Sequence, residues 1–469
     1  MNSPSSLLDR ATGNRAAQAP TKGSGRSSPI CQRSFSMTVS QESQGIDIFV
    51  VGLDEDNLDT LCAVPGAEEF TFHPLLSKDE LQNGEIDFPE LLRKARATLD
   101  AFEGTVDAVV GYWDFPVSTL VPILAQERGL RSSSLEAIVR CEHKYWSRLV
   151  QREVAPEAVP GFGLVDLDAE TPRPPEGVSF PMWLKPVKSF SSELAFGVRD
   201  EAEFREAVAE IKKGVGRVGG PFEHILDRLD LPDEVAAAGG AACLAEEALT
   251  GVQVAVEGFV HNGEVVVYGV LDSHTYPNSA CFLRHQYPAE LPEETVERIV
   301  DISRRVIGRV GMESVTFSIE FFYDPESGAV NILEINPRHS QSHAEMFEHV
   351  DGVPNHHRMI SLALGRDPRV KQGDGPFECG AKWYYRVFRD GVVRRVPTPD
   401  EVARIEREIP GVKVHIVPEE GVRLSEMPGQ DSYSAELAHI YVGADSDKEL
   451  EAKYDRAVEA LEFEIDDAA

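Results

Sequence analysis

The chain has 469 residues, of which 42% are hydrophobic and 27% are charged. This is a globular composition with room for about three domains, and it excludes collagen, a disulfide miniprotein and a wholly disordered chain. The formal net charge of −33 argues against nucleic acid or an anionic membrane as a partner, because both require basic surfaces. No apolar run approaches the roughly 18 residues that cross a bilayer.

The six cysteines are scattered and form no CxxC pair. We therefore expect reduced thiols in a cytoplasmic protein, without a disulfide framework or a zinc site.

Residues 1–44 are rich in Ser, Arg, Gly and Pro and have almost no apolar periodicity. Such a segment cannot bury enough apolar surface to offset its loss of entropy, so we predict a disordered tail. A transit peptide and a gene start placed too early, before Met37, are the alternatives.

Residues 45–134 alternate between strand and helix patterns, which predicts an α/β domain with an open sheet. The predicted strands are 46–52 and 106–111, and the predicted helices are 88–102 and 117–129. The first strand is followed by Leu-Asp-Glu-Asp rather than GxGxxG, so we predict no dinucleotide site there.

Residues 135–368 form a second predicted domain. Its pattern predicts helices at 135–151, 201–213 and 293–310, and strands at 182–185, 242–247, 253–260, 265–272, 314–323 and 330–335. The dipeptide Asn262-Gly263 predicts a tight hairpin turn. Residues 214–240 are rich in Gly, Pro and acids and are predicted to be an insertion or a mobile segment.

Residues 369–469 are predicted to form a small α+β domain. Its predicted strands are 381–388, 392–396 and 413–417, with a helix starting near Pro399 and a final helix at 447–463.

The last hairpin of the second domain carries the sharpest chemical pattern. Glu334 and Asn336 are two residues apart and so share one face of a strand, and hairpin pairing brings Glu320 beside them. Two carboxylates and an amide oxygen suit Mg²⁺, which keeps several waters and binds substrate phosphates. Arg338 follows and could hold a phosphoryl or carboxylate group with two hydrogen bonds. Solvent-facing acids are the alternative, although both acids sit in strongly apolar strands.

Two weaker patterns fit an anionic nucleotide. Lys185 ends an apolar strand before a small polar loop, an arrangement suited to phosphate. The segment 242–249 runs from a strand into a connector, where main-chain groups could meet the edge of an adenine ring.

Five of the thirteen histidines fall between 339 and 357. His339 and His343 are four residues apart, as zinc ligands on a helix can be, but the sequence is not HExxH. A substrate or phosphate role for His339, next to Arg338, is favoured over zinc.

Taken together, these pieces resemble the ATP-grasp superfamily over roughly residues 45–365. The matching features, in chain order, are an α/β domain preceding the ATP-grasp fold, a lysine on the entering helix (Lys144), a strand lysine (Lys185), a Glu-Glu-x-Leu segment (246–249) and an acidic hairpin ending in Glu-Ile-Asn-Pro-Arg (334–338). The C-terminal block is similar to the small domain of L-amino acid ligases and biotin-carboxylase-like proteins.

The resemblance implies a role for each matching residue. Lys144 and Lys185 would bind ATP phosphates, and Glu246 would meet the adenine amino group. The backbone of Glu247, Ala248 and Leu249 would meet the ring edge. Gln253 stands where the family usually has a Glu that binds ribose.

The same resemblance assigns the acidic hairpin. Glu320, Glu334 and Asn336 would hold Mg²⁺, with Mn²⁺ as an alternative, and Arg338 would contact the transferred group. The glycines usual in the lid loop are replaced here by the residues 188–192.

The implied activity is ATP-dependent ligation of a carboxylate to an amine through an acyl phosphate, which releases ADP and phosphate. A biotin-carboxylase-like enzyme that activates bicarbonate is one alternative, although the chain lacks a Met-Lys-Met biotin acceptor. A non-catalytic nucleotide-binding subunit is another. The implied partners are small carboxylates and amines, amino acids among them. A homodimer is a further possibility.

Residues 272–288 interleave aromatic, cationic and imidazole groups and are the candidate specificity loop. Arg284 could pair with a substrate carboxylate, with a surface arginine as the alternative, and His285 and His339 are further candidates for substrate contact.

Overall fold

The computed structural model describes residues 45–82, 84–189, 193–277, 279, 281–427 and 434–467. The predicted tail at 1–44 lies outside these residues, as do positions 190–192 of the predicted lid loop. In the described ranges, no helix has both the length and the apolar character that a membrane span requires. Among the described residues, Cys141, Cys243, Cys281 and Cys379 are not disulfide-bonded. Cys62 is disulfide-bonded, contrary to the expectation of reduced thiols throughout.

The N-terminal region is an α/β layer, as predicted. Its elements are β1 (Ile46–Val51), α1 (Glu55–Cys62), β2 (Phe70–Leu75), α2 (Lys78–Gln82), α3 (Phe88–Ala101), β3 (Ala108–Val110) and α4 (Val117–Glu127). The three strands are parallel in the order β2-β1-β3. Both faces of β1 are buried, since Ile48 and Val50 lie in one core cluster and Phe49 and Val51 in another.

Two helices replace the single helix predicted over 135–151. They are α5 (Leu135–Glu142) and α6 (Lys144–Val154). His143 has an extended ψ of 95°, and its side chain accepts a hydrogen bond from the amide of Trp146. This N-cap restarts the helix at Lys144, which therefore lies at a helix N-terminus.

A small antiparallel sheet follows, in the order β4-β7-β5-β6. Its elements are β4 (Phe162–Val165), β5 (Met182–Pro186), β6 (Phe196–Val198), α7 (Glu201–Gly214), α8 (Gly216–Leu226), α9 (Asp233–Ala238) and β7 (Cys243–Glu247). Residues 214–240, predicted to be an insertion or a mobile segment, contain the packed helices α8 and α9. Val218, Phe222 and Ile225 of α8 are buried in the main core, and this tertiary packing outweighs the cost of glycines in a helix.

An eight-stranded sheet forms the body of the molecule. The elements from 252 onward are β8 (Val252–His261), β9 (Glu264–Thr275), β10 (Phe282–Tyr287), α10 (Glu293–Val310), β11 (Val315–Tyr323), β12 (Val330–Asn336), α11 (Ala344–Asp351), α12 (His356–Ala363), β13 (Cys379–Val387), β14 (Gly391–Arg395), α13 (Pro399–Glu408), β15 (Val412–Ile416), β16 (Ala435–Ala444), α14 (Asp447–Ala460) and β17 (Glu464–Asp467). The strand order is β12-β11-β8-β9-β10-β13-β16-β15. Asn262 and Gly263 both have positive φ, as the predicted hairpin turn requires.

The C-terminal strands continue the sheet of the preceding region, because β13 pairs with β10 along Arg284 to Tyr287. One face of the large sheet is apolar, where Val254, Val256 and Phe317 share a core cluster with Ile299 of α10. The opposite face carries the polar residues of the candidate site. The domain boundaries at 134 and 368 stay predictions.

Candidate functional site

The acidic hairpin has the predicted register. In the antiparallel pair of β11 and β12, Glu320 lies directly opposite Glu334, and Ser318 lies opposite Asn336. The amide Nδ2 of Asn336 is 3.5 Å from Oε1 of Glu320. Two carboxylates and an amide therefore share one surface.

The two carboxyl groups have different electrostatic surroundings. Burial raises the pKa of Glu320 to about 7, and the facing carboxylate of Glu334 adds to the rise. Burial also opposes ionisation of Glu334, but Lys144 and Lys185 outweigh it and lower the pKa of that group. Glu334 is therefore the more readily ionised of the two carboxyl groups, and Glu320 is the less readily ionised. This difference is typical of paired carboxylates.

Lys144 is brought to the hairpin by the start of α6. Its ammonium group donates to Oε1 of Glu334 at 2.7 Å and to the carbonyl of Ser189 at 3.0 Å. The amide of Lys144 also donates to the carbonyl of Val187 at 2.8 Å. The helix N-terminus, the loop after β5 and the acidic hairpin therefore meet at one lysine.

Lys185 and Glu246 form a second centre on the small sheet. The ammonium group of Lys185 is 2.7 Å from Oε2 of Glu246, and Arg148 donates to Oε1 of Glu246 at 2.6 Å. Burial opposes ionisation of Glu246, but Arg148 and Lys185 outweigh it and lower its pKa to about 2. The carboxylate predicted to meet an adenine amino group is thus bound by two internal cations.

The segment after Glu246 is partly engaged by its own backbone. The amide of Glu247 donates to the carbonyl of Gly161 at 2.9 Å, and the amide of Ala248 donates to the carbonyl of Pro181 at 3.1 Å. Leu249 follows as a half-buried residue. The side chain of Gln253 contacts the acidic hairpin directly, since its Nε2 donates to Oε2 of Glu320 at 2.7 Å.

A narrow cavity joins the two lysine centres. It is lined by Cys141, Lys144, Ser147, Arg148, Gln151, Lys185, Glu246, Leu333, Glu334 and Ile335. Arg148 also donates to the carbonyls of Ile332 and Leu333 at 2.9 and 2.8 Å, so α6 fixes β12 beside the cavity.

Arg338 lies at the other side of the hairpin, against the N-terminal region. It donates through Nε and Nη2 to both carboxylate oxygens of Asp114, at 2.8 Å each. Asp114 lies in the loop between β3 and α4.

The predicted substrate residues are placed differently from one another. His339 is fully buried and bonded to Thr316 and His356. His285 is buried beneath Ser273, with its Nδ1 2.9 Å from the hydroxyl. Arg284 pairs with Asp447 at 3.0 Å and lies over Trp383. The structure does not bring these three residues onto the acidic hairpin.

The predicted zinc alternative has no support in the structure. Across the described ranges, no group of three or more His, Cys, Asp or Glu side chains is arranged to hold a metal ion. The acidic hairpin has a different donor set, two carboxylates and an amide.

Sequence reasoning missed Asp114, Arg148 and the buried ion pair of Lys188 with Glu142. Arg148 lies on the Lys144 face of α6, four residues further along, and this helical spacing was a usable signal. Asp114 is 224 residues before Arg338, and no local pattern connects them.

The family comparison matches this part of the fold. Residues 178–344 match the family model described as "ATP-grasp domain". These residues form an ATP-grasp domain. The matched segment contains Lys185, Glu246 and the acidic hairpin, whereas Lys144, Arg148 and Asp114 precede it and reach the site through the tertiary structure.

Solved structures share the fold over most of the chain. An L-amino acid ligase from Bacillus licheniformis superposes with a TM-score of 0.69 and 17% identity, covering 91% of this chain and 100% of that chain. A phosphoribosylglycinamide synthetase from Anaerococcus prevotii has a TM-score of 0.59 and 14% identity, covering 90% and 99%. A biotin carboxylase from Campylobacter jejuni has a TM-score of 0.56 and 15% identity, covering 90% and 92%.

At these identities the likeness establishes a common fold. The ATP-grasp architecture therefore extends beyond the matched segment into both flanking regions. No curated protein sequence matches the chain.

Proposed function

We propose that the chain is an ATP- and Mg²⁺-dependent ligase that joins a carboxylate to an amine through an acyl phosphate. The observation that carries the proposal is the pairing of Glu320 with Glu334 across the ATP-grasp hairpin, with Lys144 on one side and Arg338 on the other. Opposed carboxylates can bind a metal cation, and the cationic side chains next to them can bind the phosphates that such a metal contacts.

The residues fit a divalent cation. Burial and the facing Glu334 raise the pKa of Glu320 to about 7, and a bound divalent cation would offset the repulsion between the two carboxylates. Asn336 supplies an amide oxygen on the same face, and Mn²⁺ would suit the same donors. When bound, the metal would supply charge compensation for the transferred phosphoryl group.

The phosphates of the nucleotide would lie beside the two lysines. Lys144 and Lys185 now bind Glu334 and Glu246, and their ammonium groups could pair with phosphate oxygens as well, because each has three donors. The connector after Glu246 would meet the base through main-chain groups other than the amides of Glu247 and Ala248, which already donate to Gly161 and Pro181. Gln253 would bind ribose hydroxyls or hold Glu320, and its bond to Glu320 favours the second role.

The proposed reaction has two steps. A carboxylate oxygen of the substrate forms a bond to the γ-phosphorus as the bond between the γ-phosphorus and the bridging oxygen breaks, and ADP leaves. The amine nitrogen then attacks the acyl carbon, the bond from this carbon to the phosphate oxygen breaks, and the leaving phosphate takes the proton that the amine gives up. Arg338, held in place by Asp114 through Nε and Nη2, would contact the transferred group through its other N–H groups and hold it in line.

The L-amino acid ligase likeness, over the full length of that chain, supports the choice of an amine acceptor. Biotin-carboxylase-like activation of bicarbonate is the competing reaction within the same fold. The two reactions differ in the substrates that ADP formation requires.

The test is nucleotide chromatography after incubation with mixed amino acids, Mg²⁺ and ATP, together with hydroxylamine trapping of the activated acid. We expect ADP, phosphate and a hydroxamate, each requiring a carboxylate. AMP with pyrophosphate would exclude the acyl-phosphate route. ADP formation that requires bicarbonate and free biotin would favour the carboxylase reaction, and absence of turnover with every acid would favour a nucleotide-binding subunit.

A further inference from the structure

Four lysines are buried in the described part of the chain, and one of them differs from the rest. Lys144, Lys185 and Lys188 form ion pairs with Glu334, Glu246 and Glu142. Lys382 of β13 is only 3% exposed, yet among the described residues no carboxylate lies at ion-pair distance from its ammonium group. Burying a charge without a counter-ion raises the free energy of the folded chain, and a bound anion would offset this cost at Lys382.

Lys382 lies on the same face of the large sheet as the acidic hairpin. The register pairs Gln253 with Ser273, Ser273 with His285, and His285 with Lys382. Residues paired directly across strands point to the same face. Since Gln253 binds Glu320, this row of side chains runs continuously from the acidic hairpin to Lys382.

The carboxylates that most favour the charged form of Lys382, Glu436 and Glu345, are already engaged. Glu436 binds His439 at 2.7 Å and also Arg386, and Glu345 binds His415 at 3.3 Å. The contacts of the Lys382 ammonium group are aromatic, with the rings of Tyr384 and Tyr441 at 4.5 and 5.6 Å. Such rings stabilise a cation without neutralising it.

His285 of this row and the rings of His343 and Tyr384 that pack against it are neutral hydrogen-bonding groups. Burial and the nearby cations lower the pKa of His285 well below its usual value, and they lower that of His343 to about 3. The hydroxyl of Tyr384 interacts with Ser342. Burial lowers the pKa of Lys382 itself to about 8, so the ammonium form still predominates at neutral pH.

We propose that Lys382 binds an anionic group of the substrate, a carboxylate or a phosphate, at a distance from the carboxylate that reacts. The statement that this anion belongs to the substrate rests on the proposed ligase function. Three strand spacings of about 4.8 Å separate the backbones of Gln253 and Lys382, or about 14 Å. The substrate would therefore be an acid that carries a second anionic group several ångströms from the first.

Anion binding can be tested without nucleotide. Thermal melts of the full chain would be recorded with glutarate or inorganic phosphate, and with sodium chloride at matched ionic strength. The variants are Lys382→Met and, as a control from the same sheet face, Lys413→Met, whose lysine is already paired with Glu348. Comparison of glutarate with phosphate shows which anion the site prefers.

We expect one or both anions to raise the melting temperature of the wild type and of Lys413→Met, and to leave Lys382→Met unmoved, as linkage requires of ligand binding. Lys382→Met alone should melt no lower than the wild type, because it removes an uncompensated buried charge. Lys382→Gln repeats the test in case the apolar side chain disturbs packing. An equal rise in wild type and in the Lys382 variants, or no rise in the wild type with either anion, would overturn the proposal.

Kinetics then link the anion site to the substrate. ADP release would be compared for pairs of acids that differ by one distal carboxylate, such as glutamate and norvaline. In Lys382→Met the KM for the dicarboxylate should rise at least about tenfold, as loss of a charge-assisted hydrogen bond predicts, while the KM for the monocarboxylate stays unchanged. Equal changes for both acids would reject the assignment. If no acid supports ADP release, the ligase proposal fails, whereas anion binding at Lys382 is decided by the melts.

Discussion

Arg338 and Asp114 form a two-point ion pair that joins the acidic hairpin to the N-terminal region, with both hydrogen bonds at 2.8 Å. Arg338 has a raised pKa, because Asp114 outweighs the effect of burial, and the carboxyl of Asp114 has a lowered pKa because Arg338 does the same. The guanidinium proposed to contact the transferred group is therefore oriented by a loop from another part of the chain.

Asp114→Ala should release Arg338. We expect a loss of about 1.5–3 kcal/mol in the free energy of unfolding, the usual effect of removing hydrogen bonds to a charged group. Turnover should fall more than the KM for ATP rises, because Asp114 positions Arg338 and does not contact nucleotide. Denaturant unfolding and ADP release measure the two effects. The matched control is Asp100→Ala, which breaks the exposed pair with Arg128 and should cost at most about 1 kcal/mol.

Arg338→Lys should keep the charge but lose the planar two-point contact. We expect turnover to fall strongly while the KM for ATP changes little, measured by steady-state ADP release. A wild-type turnover number in this variant would remove Arg338 from the proposed reaction.

Glu334→Gln should abolish Mg²⁺-dependent ADP release while the chain remains folded. The change removes one of the two opposed carboxylates and the partner of Lys144, and charge compensation of several kcal/mol in the transition state is lost with it. Circular dichroism checks the fold. Glu326→Gln, in the exposed turn between the same two strands, should behave as the wild type. Normal turnover in folded Glu334→Gln would end the metal assignment.

Glu257 should make stability depend on pH. This carboxyl is fully buried, with the hydroxyl of Tyr268 and the amide of Ser340 each at 2.9 Å, and burial raises its pKa from 4.5 to about 8. Between these two pH values the folded chain holds a proton that the unfolded chain releases, so the free energy of unfolding falls as the pH rises.

Glu257→Gln should remove this dependence, since its amide keeps the hydrogen bonds without titrating. The difference in unfolding free energy between variant and wild type, measured in urea, should shift in favour of the variant from about pH 4.5 to about pH 8. A difference that is constant over this interval would contradict the shifted pKa.

His415 should also make stability fall as the pH rises, in this case because the folded chain stabilises the protonated, charged form of the side chain. It lies 3.4 Å from Asp56 of α1 and 3.3 Å from Glu345 of α11. Burial opposes its protonation, but the two carboxylates outweigh it and raise the pKa to about 9. The stabilisation is fully present below pH 6.5 and disappears as the pH rises through about 9.

His415→Gln should therefore be less stable than the wild type at pH 6, and the two should converge above about pH 9. Asp56 is largely exposed, so we expect a modest difference of about 1 kcal/mol. Urea unfolding across this range measures it, and a gap that persists at high pH would assign His415 a packing role instead.

The sequence by itself determined the local elements that carry the chemistry. Alternation of apolar and polar residues placed Glu320 opposite Glu334, because hairpin pairing and the two-residue period of a strand are local rules. The Asn262-Gly263 turn and the helix at Glu293–Val310 followed from equally local signals. The break at His143 and the burial of α8 were missed, since capping geometry and long-range packing decided them.

Only the tertiary structure decided which charges meet. Asp114 reaches Arg338 across 224 positions, and Arg148 reaches Glu246 across 98. Lys382 joins the row of side chains that begins at the acidic hairpin because β13 adds to the edge of β10. Ion pairs of this kind depend on where whole elements pack, and the free energy of packing comes from apolar residues far from the charges themselves. No local pattern in the chain records which charged groups that packing brings together.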